Sequence, residues 1–250
     1  MAYSEALPIA LLTIYIILFI PTIYVAIKHG FRHAAILGWG YLLAFYTIRI
    51  VSSALELHDP ASRAAGVVSS IGLSPLLLAT GGILHESRAY LIRKGRKGYE
   101  IAWVVQFHIV VSTALALVAV GAAHSSNPTS TTDDIMRAMR LAKAGMVILL
   151  LSWLLLIVIA SCTFMAMCRR EPGSEKQQGG RTLLIAVLVA IPLIGIRLLA
   201  SFVYFFTQNP LLNPITGSLG LRVGLEVLEE ILISLLFVSA GLATRTIGIE

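Results

Sequence analysis

Residues 218–244, SLGLRVGLEVLEEILISLLFVSAGLAT, have the length and apolarity of a membrane helix, yet carry four formal charges. Arg222, Glu226, Glu229 and Glu230 follow i, i+4, i+7, i+8 spacing, which on an α-helix is one face. An ionised side chain near the bilayer centre costs roughly 2.5–3.5 kcal/mol on insertion scales, so such residues turn into a bundle, pair, and mark a site. Two further apolar stretches repeat the pattern. Residues 34–57 hold Arg49, Ser52, Ser53 and Glu56, and residues 182–207 hold Arg197, Ser201 and Tyr204.

The rest of the chain fits a membrane setting. It has 250 residues, is 57% hydrophobic and only 13% charged, with a mean hydropathy of +0.86. A water-soluble domain of this size needs more polar surface. The formal charge of +6 comes from basic residues in short connections, where they suit anionic headgroups; no nucleic-acid partner is expected. The first apolar run, 7–27, is too long for a cleaved signal core and lacks a basic leader. Cys162 and Cys168 are spaced as free thiols, and no His or Cys cluster has metal-ligand spacing, so neither metal nor cofactor is expected. Asn127-Pro128-Thr129 is no glycosylation acceptor, because proline holds the middle position.

Seven spans are expected, at about 6–27, 34–57, 64–86, 101–123, 134–167, 182–207 and 218–244, forming one all-α, seven-transmembrane-helix domain over 1–250 without an internal repeat. Basic residues gather in the odd connections: Lys28 and Arg32; Arg88, Arg93, Lys94, Arg96 and Lys97; Arg169, Arg170, Lys176 and Arg181. The positive-inside rule then puts the N-terminus lumenal or outside and the C-terminus in the cytosol, with the endoplasmic reticulum as the expected membrane. Pro60, Pro172, Gly173, Gly179, Gly180, Asn209-Pro210 and Asn213-Pro214 read as connection markers, whereas Pro21, Pro75 and Pro192 fall inside helices.

That topology sets the three charged stripes at one level. Arg49, Arg197 and Glu226 lie roughly 12, 15 and 12 Å below the lumenal edge at 1.5 Å per residue, which points to one shared polar chamber. A purely structural role, buried ion pairs such as Arg222 with Glu226 that orient helices, is the competing reading. Three carboxylates within five residues repel one another, which disfavours ionising all of them and leaves a candidate general acid. Tyr46 and Tyr204 are candidates to line the chamber, where their π faces would stabilise a cation. Other polar residues read more plainly. Gln106 and His108 suit interhelical hydrogen bonds, His85, Glu86 and His124 suit an interface, and Trp39, Tyr41, Trp103 and Phe107 suit core or belt positions. Arg137, Arg140 and Lys143 share a face and suit either pairing with the acids or guarding an entrance.

The run Gly-Leu-Ser-Pro-Leu-Leu-Leu at 72–78, then Gly81-Gly82-Ile83-Leu84-His85-Glu86, and Arg49 followed by Glu56 resemble a fungal family of integral-membrane proteins of about this length. The resemblance covers nearly the whole chain, and the family includes a terpene cyclase of ascofuranone-type meroterpenoid biosynthesis. The chain is more distantly similar to seven-helix meroterpenoid cyclases, which protonate an epoxide with carboxylates on an early and a late helix; Glu56 and Glu226 are the nearest positions here. The resemblance implies a metal-independent cyclase acting on a hydrophobic, epoxidised prenyl chain taken from membrane lipid. Glu226 or Glu229 would donate the proton and Glu56 would accept the last one, while Arg49, Tyr46, Arg197, Tyr204 and Arg222 bind the substrate. A small-molecule or lipid transporter and a seven-helix receptor remain as alternatives. A retinal Schiff base is excluded, since residues 218–244 contain no lysine.

Overall fold

The computed structural model describes residues 6–30, 33–59, 73–91, 97–125, 131–169, 174–207 and 219–245; for a few of these, Arg222 and Glu226 among them, only the backbone is described. Among the described residues the protein is all helical: α1 (Ala6–His29), α2 (His33–His58), α3 (Leu73–Leu91), α4 (Lys97–Ser125), α5 (Thr132–Cys168), α6 (Glu175–Thr207), α7 (Leu219–Arg222) and α8 (Leu228–Ala243), with a π-helical turn, Val223–Val227, between the last two. Residues 64–72 of the expected third span lie outside the described residues. So do Pro60, Asn127 to Thr129, Pro172, Gly173, Asn209-Pro210, Asn213-Pro214, and the basic residues Arg32, Arg93, Lys94, Arg96 and Arg170.

Local chemistry explains two of the helix ends. Gly30 adopts a positive φ of 78° and its N–H reaches Ile27 O at 3.2 Å, a left-handed C-terminal cap that stops α1. At α5 the Thr131 hydroxyl accepts from Asp134 N–H while the Asp134 carboxylate accepts from Thr131 N–H, each at 3.3 Å. This reciprocal capping box satisfies two orphan amides. One expectation fails here: Gly179 and Gly180 do not mark a connection. They are buried inside α6, which starts at Glu175, because Gly180 is where α3 crosses: a Cβ there would meet Tyr90 and Leu91, and its carbonyl accepts from Ser87 at 2.8 Å.

The arrangement is that of a protein in lipid. α3 lies in the centre, against α2, α4, α5 and α6, while α1 and α8 close the side between α2 and α6. Fifteen residues of the 19 in α3 are buried. By contrast α1 buries a single stripe, Pro8, Leu11, Tyr15, Leu18, Thr22, Val25 and His29, and turns Ile16, Ile17, Ile20 and Ile27 outward. Such an apolar outer surface belongs in hydrocarbon. Among the described residues, five helices or parts of them are long and apolar enough to cross a membrane: 6–29, 35–58, 102–124, 132–168 and 175–207.

With no hydrophobic force between helices in lipid, close backbone approach supplies the contact. α2 and α3 meet glycine to glycine, so that a Cβ on Gly82 would fall on the Gly38 backbone. Trp153 of α5 lies over Gly195 of α6 and donates its indole N–H to Ile191 O at 2.9 Å.

Candidate functional site

The charged residues converge where α1, α2, α6 and α8 face one another. Glu230 of α8 is 1% exposed, with Arg49 of α2 and Arg197 of α6 also buried. Both guanidiniums donate to one carboxylate oxygen, Oε1: Arg49 through Nη2, and Arg197 through Nη1 at 2.5 Å. The other oxygen, Oε2, accepts from the Tyr15 hydroxyl of α1 at 2.8 Å. Four helices are thereby joined through one carboxylate. The aromatic wall is continuous: Tyr15 meets the Phe45 ring edge-on at 5.7 Å and lies 5.9 Å from the Tyr46 ring, and the Arg49 guanidinium sits 5.8 Å from the Phe45 centroid.

This geometry brings Arg49 and Arg197 to one carboxylate, with Tyr46 packed against Tyr15 and Phe45 on the adjoining wall. The acid they share is Glu230, which sequence reasoning placed in the stripe but not in the site. Glu229, next in the chain, is buried as well. Glu56 lies seven residues beyond Arg49, roughly 10 Å further along α2, and is half-buried. Tyr204 is half-buried at a similar distance beyond Arg197 and packs edge-on against Phe205 at 5.5 Å. The side chains of Arg222 and Glu226 lie outside the described residues.

The single α-helical stripe expected over 222–230 is corrected by the backbone. Val223–Val227 forms a π turn, in which i and i+5 stack rather than i and i+4. The helical phase of Arg222 and Glu226 is therefore offset from that of Glu229 and Glu230. π turns recur at functional sites, and this one directly precedes the two buried acids.

A second buried carboxylate lies toward one end of the bundle. Glu86 is not interfacial, as its position near the expected end of the third span suggested: α3 continues to Leu91, and Glu86 is 1% exposed. Its Oε1 is 2.6 Å from His29 Nδ1 of α1, and its Oε2 accepts from the Trp39 indole of α2 at 2.9 Å. His29 Nε2 lies 3.1 Å from Gly241 O at the end of α8. Sequence reasoning missed His29, Glu86 and Trp39 as a group, although Tyr15, Thr22 and His29 recur every seven residues on the buried stripe of α1.

The remaining candidates fall away from both clusters. His108 is buried but bonds within its own helix, Nδ1 to Val104 O at 2.7 Å, rather than across helices. Arg137 and Arg140 are exposed, and Lys143 lies 5.3 Å from the Phe206 ring centroid. Among the described residues no group of three His, Cys, Asp or Glu side chains has metal-binding geometry. A cleft of about 340 Å³ opens on the opposite side of α3, between α4 and α5.

A family model described as a domain of unknown function, DUF7702, matches residues 1–247. No curated protein and no solved structure matches the chain.

Proposed function

The chain belongs to the DUF7702 family, and we propose that it is a seven-span membrane enzyme that performs acid–base cyclisation on an apolar chain dissolved in the bilayer. Length supports the span count. Helical structure runs from Leu219 to Ala243 without interruption, roughly 36 Å at 1.5 Å per residue, and the 19 residues of α3 give roughly 28 Å against a ~30 Å hydrocarbon layer. The loop charges favour a lumenal N-terminus and a cytosolic C-terminus, in the endoplasmic reticulum.

The observation that carries the chemistry is the Glu230 carboxylate clamped by Arg49 and Arg197, beside a second buried carboxyl at Glu229. Two acids in different surroundings can divide two roles between them. Glu230 is held by two guanidiniums and the Tyr15 phenol, and serves to orient the site. Glu229 donates its proton to the oxygen of an epoxidised prenyl chain. The C–O bond breaks, leaving an alcohol and a cationic carbon, and an internal hydroxyl or alkene attacks that carbon to close the ring. The proton released in this step goes to a carboxylate, for which Glu56 on α2 is the candidate, so no proton is gained or lost overall. Tyr46 and Phe45 line the cation's path with π faces; the substrate-binding roles of Arg222 and Tyr204, and Glu226 as the alternative proton donor, belong to the same reading.

Microsomes containing the protein, supplied with prenyl epoxides, test this reading. The wild type is expected to yield ring-closed isomers of unchanged mass, and Glu229→Gln is expected to abolish conversion while keeping wild-type abundance. Full conversion by the variant would remove Glu229 from the mechanism. Saturable uptake of the same compounds without conversion would point to transport instead.

A further inference from the structure

One helical turn from the Glu230 carboxylate, three hydroxyls from three helices come to one level. Ser234 follows Glu230 by four residues on α8, on the same face and roughly 6 Å further along. Thr22 of α1, Tyr46 of α2 and Ser234 each stand seven residues from a residue at the Glu86 cluster: His29, Trp39 and Gly241 respectively. Those three residues meet, and every helix rises by the same amount per residue, so the hydroxyl-bearing residues share a layer roughly 10 Å away. Thr22, Tyr46 and Ser234 are each 0% exposed.

Their hydrogen bonding is unequal. A buried hydroxyl on a membrane helix can bond the carbonyl one turn back, as Thr22 does to Leu18 O and Thr80 to Leu76 O, each at 2.8 Å. Ser234 makes no such bond, and its Oγ has no hydrogen-bond partner among the described residues. The Tyr46 hydroxyl is in the same position. It comes close enough to interact with Ser234 and Thr22 and bonds to neither. Its ring is packed against Tyr15 at 5.9 Å and Phe45 at 5.6 Å, which fixes where the hydroxyl lies. Two unsatisfied hydroxyls in a dry interior are costly. Thr22 has already committed its proton to Leu18, so toward this layer its oxygen only accepts. The layer thus offers two donors and one acceptor, converging from three helices.

We propose that this layer binds one water molecule, which accepts from Tyr46 and Ser234 and donates to Thr22. About three bonds is the usual complement of a buried water. The bridge joins α1, α2 and α8, the helices that carry Tyr15, Arg49 and Glu230, by a polar contact separate from the Glu230 ion pairs. It also keeps an exchangeable proton within one helical turn of the buried acids. It holds whatever reaction those acids perform.

A density map of the purified protein in lipid nanodiscs, at a resolution that shows ordered waters, tests the proposal directly. One peak is expected within hydrogen-bond reach of Tyr46 Oη, Ser234 Oγ and Thr22 Oγ1. A direct bond between Tyr46 and Ser234 with no such peak would overturn it. Thermal unfolding of variants gives a second test. Tyr46→Phe and Ser234→Ala should each lower the unfolding midpoint, by roughly 2–4 °C, because each removes one bond to a water that stays buried. In a dry layer both would raise the midpoint by shedding an unsatisfied hydroxyl; a rise in either variant refutes the bound water. Thr22→Val keeps the side-chain shape and separates a bridging water from a direct Tyr46–Ser234 bond. With a shared water, Thr22→Val combined with Tyr46→Phe should lose less than the sum of the two single variants. Strict additivity would remove Thr22 from the layer and sink the three-way bridge.

Discussion

Glu230 and Glu86 are both fully buried carboxylates, one near mid-depth and the other toward one end of the bundle, and their surroundings differ in kind. Glu86 meets an imidazole and an indole, and the far side of that imidazole reaches the Gly241 carbonyl, so every strong polar group in the cluster is matched. Glu230 meets two guanidiniums and a phenol, beside a second buried acid and immediately after a π turn. The clusters are roughly 16–21 Å apart along α8 and α1. A matched set of hydrogen bonds ties helices together and does little else. Concentrated charge in a dry site, next to an irregular helix, is how membrane proteins build chemistry. On the proposed reading, burial of an acid does not by itself mark function; the character of its partners does.

The contrast can be tested in order of expected effect. Glu230→Ala leaves two guanidiniums buried without their shared carboxylate, and removing one partner of a buried pair costs about 3–5 kcal/mol. Little monodisperse protein should survive detergent extraction and mild heating, as read by size-exclusion chromatography. Wild-type recovery would mean that Glu230 does not hold the bundle together.

Glu86→Gln should cost less, about 1–3 kcal/mol, because an amide still accepts from Trp39 but loses the charge facing His29. The midpoint of thermal unfolding should fall while conversion per folded molecule stays at the wild-type level. Lost conversion with unchanged stability would reverse the roles assigned to the two clusters. Tyr15→Phe removes one neutral hydroxyl from Glu230 Oε2 and should cost only about 0.5–1.5 kcal/mol. A larger drop, comparable to Glu230→Ala, would show that the phenol and not the guanidiniums organises the carboxylate.

Much of this was legible before any coordinates. Arg49 and Arg197 are expected at one level because hydropathy sets where a span sits and each residue adds a fixed rise, and these are local properties. The expected third span hid its importance. Its glycines, hydroxyls and Glu86 make it the least apolar of the long segments, a composition that suits the middle of the bundle, where neighbouring helices rather than lipid cover it. His29 was obscured for a related reason: it closes α1 beside Lys28, in a stretch whose composition matches an interfacial boundary.

From its sequence alone the chain is bound to be a helical membrane protein with charge buried at a common depth, because apolar length and helical rise act within each segment. Only the tertiary structure decides which acid the arginines meet and which helix occupies the centre. Partner choice depends on how each helix is rotated about its axis. That rotation is set by contacts between segments, the Gly38–Gly82 approach above all, and by a π turn that offsets the phase of Arg222 and Glu226 from that of Glu229 and Glu230.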